Sequence, residues 1–89
     1  GETALNSYIN SERVYPRDAY EQGIQGRVIC SFIIDTDGSI NNITILRAPC
    51  HSLGLEAARI ISNMPRWESG RIGNEKVPVL YRLTIPFRL

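Results

Sequence analysis

Histidine, methionine and tryptophan occur once each in these 89 residues, and cysteine only twice. A catalytic or metal centre built on imidazole or thiolate has only Cys30, Cys50 and His51 to draw on. Cys50 and His51 are adjacent, but neighbouring loop residues rarely orient toward each other and no third group is evident, so no catalytic residue is expected. Excess charge is scarce too. The net charge is +1 and the ten basic residues scatter from Arg13 to Arg88, which provides no global field to steer nucleic acid or an anionic membrane. No apolar run approaches the roughly twenty residues of a spanning helix, and no basic-then-apolar leader opens the chain. It reads as a soluble protein or a soluble part of one, and its length suits one domain burying roughly 60–65% of its unfolded surface.

What is present begins at the C-terminus. From Val77 to Leu89 every odd position is apolar: Val77, Val79, Tyr81, Leu83, Ile85, Phe87, Leu89. That alternation predicts one long half-buried strand. Pro78 and Pro86 both fall on the even set, so both lack an N–H on the same edge, and that edge cannot be paired throughout. The strand is therefore expected at the border of its sheet. Between the prolines, Leu80, Arg82 and Thr84 still offer backbone groups outward. Such an edge suits the addition of one short extended peptide and resists indefinite stacking, whereas its plainest reading is a protected border strand.

Earlier in the chain, Ala4, Leu5, Tyr8 and Ile9 recur at helical spacing. Pro16 suits the first position of a second short helix over Arg17 to Gln22, which Gly23 ends. Residues 26 to 34 and 40 to 46 read as a hairpin around Asp35-Thr36-Asp37-Gly38-Ser39, with a bulge near Asn41-Asn42 where alternation breaks. Leu53, Ala57, Ile60, Ile61 and Met64 then share one face of a helix from Ser52 to Met64, opposite Glu56, Arg59 and Asn63. Residues 65–75 read as a loop, with Trp67 as a plug against the sheet.

Paired residues of the hairpin should sum to about 74, which leaves Cys50 near 20 Å from Cys30 along the strands. The two are beyond disulfide reach, and together with His51 they cannot share one zinc ion. Aligning Gly38 with the sixth position of a calcium loop puts Ile33 where an aspartate ligand is required, so that segment reads as a turn. No cofactor or metal is expected. The helix returns the chain so that the third strand runs antiparallel beside the first, giving a two-layer α+β fold with a three-stranded antiparallel sheet of order 2-1-3 and the helices on one face.

Several motifs then combine in order: Tyr15-Pro16, Ala19, Gly23 to Gly26, Gly26-Arg-Val with Phe32-Ile-Ile-Asp-Thr-Asp-Gly-Ser-Ile, Leu55-Glu-Ala-Ala-Arg, Met64-Pro-Arg-Trp, Gly70 and the proline-containing last strand. Over roughly residues 12 to 89 they resemble the C-terminal domain of TonB-family energy transducers. The resemblance implies a domain at 15–89 behind a helical lead-in at 1–14, located in the periplasm as part of a longer protein anchored to the inner membrane. It implies docking on the Ton box of outer-membrane receptors, and inner-membrane proton-channel proteins as partners of the anchoring part. It places the receptor peptide on Val79, Leu80, Tyr81, Arg82, Leu83 and Thr84. The segment before Tyr-Pro, which also contacts receptors in the family, reads here Ser11-Glu12-Arg13-Val14 and lacks the usual glutamine and proline; Glu12 and Arg13 are its candidate contacts. Gly54 stands where the family often has aspartate, as a weaker helix cap. The resemblance equally permits a periplasmic appendage of a membrane-embedded metallopeptidase sensor. Ile29 and Ile33 on the second sheet face, with the free outer strand, leave a homodimer open.

Overall fold

A computed structural model describes residues 2–89. Three helices and five strands follow in the order α1 (Glu2–Glu12), α2 (Arg17–Glu21), β1 (Gly26–Ile34), β2 (Ile40–Arg47), α3 (His51–Ser62), β3 (Gly70–Ile72), β4 (Glu75–Val77) and β5 (Val79–Phe87). None of the helices among the described residues is long and apolar enough to cross a membrane.

Period-two patterning on β1 and β5 builds the core. Val28, Cys30, Phe32 and Ile34 of β1, with Leu83, Ile85 and Phe87 of β5, turn to one side of the sheet and are buried there. They meet Leu53, Ala57, Ile60 and Ile61 of α3, with Ile9 of α1 and Ala19 of α2 closing the ends of the same cluster. Each large side chain wholly removed from water there contributes about 1.5–3 kcal/mol. The main sheet has the order β2-β1-β5, antiparallel throughout, which is the expected 2-1-3 arrangement.

The β1–β5 register is unbroken from Gly26 opposite Phe87 to Ile34 opposite Val79. The β1–β2 register slips twice: Ile34 faces Ile40 and Ile33 faces Asn41, but Ser31 faces Thr44 and Ile29 faces Arg47. The first slip falls at the expected bulge, where Asn42 adopts φ 52, and the second leaves Leu46 exposed beside it. A constant sum of 74 therefore holds only near the turn.

Four local expectations need correction. Residues 65–75 are not all loop, because β3 and β4 form a small hairpin closed by Ile72-Gly73-Asn74-Glu75, with Gly73 at φ 60. The last strand is consequently shorter than 77–89: Val77 ends β4, Pro78 interrupts, and β5 runs from Val79 to Phe87. Pro16 is the extended residue just ahead of α2 rather than its first helical position. Gly54 is not a cap, since α3 starts at His51; it lies inside the first turns, where a Cβ would stand 3.4 Å from Ala48 Cβ and 3.5 Å from Ile45 Cγ2. Its role is close approach of α3 to the end of β2.

Candidate functional site

Border position follows from the proline pattern, and the geometry of β5 then decides which groups face outward. Pro86 stands opposite Arg27 in an unbroken antiparallel register. Lacking an N–H, it fits only a pair that exchanges no hydrogen bonds, and such pairs alternate with bonded ones. Val79, Tyr81, Leu83 and Ile85 thus bond to β1, while Leu80, Arg82 and Thr84 direct their N–H and C=O groups away from it. These three side chains are also exposed, Leu80 to 72%, on the face opposite the helices. No other strand pairs with this edge among the described residues.

The start of the edge is framed by aromatic packing. Trp67 lies against Phe32 and Tyr81, with ring centroids 5.6 Å and 4.9 Å away, and Phe32 and Tyr81 are 5.6 Å apart. Trp67 is held by its backbone N–H, which donates to the Gly38 carbonyl at 2.9 Å. Gly38 is at φ +83, and a Cβ there would run into the Trp67 carbonyl oxygen. Arg66 adds a second tie to the same turn, donating to the Asp37 carbonyl at 3.2 Å. Asp37 accepts from the Ser39 hydroxyl and backbone N–H, which together hold its carboxyl below its ordinary pKa. The expected plug role of Trp67 is thus a strap between the β1–β2 turn and β5. A groove of about 610 Å³ opens between this cluster and α1, with Leu5, Tyr8, Met64, Trp67 and Tyr81 in its walls. Gly70 of β3 sits tightly enough on Val79 that any side chain there would collide with it, so the β3–β4 hairpin is seated on the first residue of β5.

Glu12 and Arg13 lie elsewhere. The Glu12 carbonyl accepts from Arg59 Nη2 at 2.7 Å, and Arg13 donates through Nη2 to Asn10 at 2.9 Å. Neither is joined to residues 79–84 by a hydrogen bond or ion pair among the described residues. The chain just after them is anchored by Glu56, which the helical pattern puts on the solvent face but which is only 9% exposed. Glu56 accepts from the Val14 backbone N–H at 2.7 Å and from Arg59 at 2.7 and 2.8 Å. Burial opposes its charged form, but the bonds from Arg59 and Val14 and the charge of Arg59 outweigh that penalty and hold its pKa below the ordinary value. The helical period alone missed this residue because the partner it serves, the Val14 N–H in the segment after α1, comes from a distant part of the chain. The Glu56–Arg59 spacing of three on one helix was the available signal.

Cys30 and Cys50 are both free thiols. Cys30 is wholly buried, and burial pushes its pKa up to about 11. His51 is exposed at the start of α3. Among the described residues no three His, Cys, Asp or Glu side chains gather as metal ligands would.

Fold and edge define a class: a two-layer α+β domain whose terminal strand closes one side of the sheet and leaves its own outer edge unpaired. The chain belongs to the Gram-negative bacterial TonB protein C-terminal family, whose profile matches residues 11–89. Protein TonB of Helicobacter pylori is 30% identical over 84 residues, covering 89% of this chain and 29% of that protein. This chain thus spans under a third of the length of that relative. The solution structure of a Helicobacter pylori TonB C-terminal domain superposes with a TM-score of 0.71 at 26% identity, over 96% of this chain and 89% of that one. The Pseudomonas aeruginosa TonB C-terminal domain gives a TM-score of 0.64 at 31% identity, over 86% of this chain and 78% of that one.

Proposed function

We propose that this domain docks on the Ton box of outer-membrane receptors by strand addition along Val79–Thr84, and that it does so in the periplasm as the receptor-binding end of a longer TonB-like protein. The carrying observation is the β5 edge: unpaired, interrupted by proline at 78 and 86, and exposed at Leu80, Arg82 and Thr84 between them. A few ladder bonds at a net ~0.5–1.5 kcal/mol each, less the entropy of association, correspond to roughly micromolar affinity. Such weak, reversible docking suits a coupling that transmits proton-motive force to nutrient receptors, with proton-channel proteins of the inner membrane engaging the part anchored there. In this reading residues 1–14 lead into the docking unit at 15–89, and Glu12, whose carbonyl is held by Arg59 of α3, and Arg13 offer a second contact. The function is mechanical rather than catalytic. The family membership supports this reading, and the choice of Val79–Thr84 rests on the edge geometry.

The test is an NMR titration of the labelled domain with Ton-box peptides from the receptors of the same genome. Saturable shifts centred on Val79–Thr84 are the expected result. A folded domain that responds to none of the peptides overturns the docking assignment in favour of a sensor appendage.

A further inference from the structure

The arginines of the sheet are segregated on its open face. Arg27 of β1 lies opposite Pro86, Arg47 of β2 opposite Ile29, and Arg82 of β5 opposite Ser31. Directly paired residues share a face, so all three arginines occupy the side away from the helices, together with Ile29, Ile33, Leu80 and Thr84. The sequences of β1, β2 and β5 contain no Asp or Glu. All three arginines are exposed, and none takes part in an ion pair among the described residues. The nearest acid along β1, Asp35, lies beyond the far end of the strand, about 26 Å from Arg27 at strand rise. A depression of about 480 Å³ is lined by Arg27 and Arg47 together with Ile29, Ala48, Pro49 and Thr84.

Position, not side-chain type, selects the occupant, because arginine forks match carboxylates and phosphates alike in a bidentate manner. Pro86 ends the edge at which an added strand can pair, so a peptide continuing past it has to leave β5 there. Arg27 is the residue directly across from Pro86, one strand spacing of about 4.8 Å inward. We infer that the open face between Arg27 and Arg47 takes the carboxylates of an acidic segment flanking the strand that adds to β5. The inference rests on the docking reading above and extends it to the chemistry of the partner outside the paired stretch.

The test compares one Ton-box peptide carrying a Glu-Gly-Glu extension, at either end in turn, with the same peptides carrying Gln-Gly-Gln. Each is titrated into the domain and into the Arg27→Gln/Arg47→Gln double variant, which removes two exposed, unpaired charges and should melt like the parent. The glutamate extension at one end is expected to tighten binding about fivefold at low salt, to shift the amides of Arg27, Ile29 and Arg47, and to lose both effects in the double variant and at high salt. Equal affinities for both extensions, with the β5 shifts intact, overturn this inference and leave docking standing. Absence of β5 shifts with every peptide overturns docking itself. Arginine-dependent binding to phosphatidylglycerol vesicles, without any glutamate effect, assigns the face to a membrane and overturns the inference.

Discussion

Arg82 and Leu83 are neighbours, yet proline at the two positions should have opposite consequences. Arg82→Pro removes an N–H that points away from β1, so the fold loses only what the fixed φ and the restriction on Tyr81 cost, about 1 kcal/mol. Binding suffers more: one ladder bond disappears, worth ~0.5–1.5 kcal/mol, and a carbonyl of the added peptide is left unmet, a further ~1–3 kcal/mol. The sum, about 1.5–4.5 kcal/mol, is a loss of roughly tenfold or more from a micromolar start. Leu83→Pro instead removes an N–H that serves the Cys30 pair and trims a side chain only 8% exposed. About 3 kcal/mol for the proline and about 2 for the lost packing approach the whole stability of a small domain. Urea melts followed by Trp67 fluorescence, with peptide titration of each folded variant, measure both effects. An Arg82→Pro protein that unfolds refutes the assignment of outward groups; one that folds and still binds refutes docking along this edge.

Other perturbations probe the surroundings. Glu56→Gln should cost about 1–3 kcal/mol at neutral pH and flatten the acid limb of stability. Because the folded-state pKa of Glu56 is depressed, its contribution is present above about 4.5 and drains as pH falls through the folded value; urea midpoints from pH 3 to 7 would show this for the parent and less of it for the variant. Gly38→Ala should cost about 1–3 kcal/mol through its positive φ and the Trp67 carbonyl, lowering Tm by several degrees in calorimetry. Thiol titration of the native domain at pH 8 should report one reactive group, Cys50, with Cys30 reacting only as urea unfolds the core, since it is buried and its pKa stands at about 11.

The architecture was legible because β1, β5 and α3 bury one face each, and a single buried face imposes a clean period of two or of 3.6. The border position of β5 was legible for a different reason: proline reports on backbone direction, which side-chain patterning does not. The β3–β4 hairpin escaped notice since neither strand buries a face, and only Gly73-Asn74 marks its turn. Glu56 escaped because its partner, the Val14 N–H beyond the end of α1, is distant in sequence and leaves no local periodic trace. The segregation of Arg27, Arg47 and Arg82 was invisible in a net charge of +1, emerging only when the register put residues from three strands on one surface.

The pairing of the first strand with the last also sets the order in which the domain closes. The β1–β2 hairpin closes locally, but the other border of β1 stays vacant until Phe87 arrives opposite Gly26. Segments far apart in the chain must meet before the core is sealed, so folding is dominated by one distant closure. In refolding at high concentration, the C-terminal strand of a second copy can fill that vacancy first. The measurable trace is a slow phase whose amplitude grows with protein concentration, leading to an exchanged dimer built from the same contacts as the monomer.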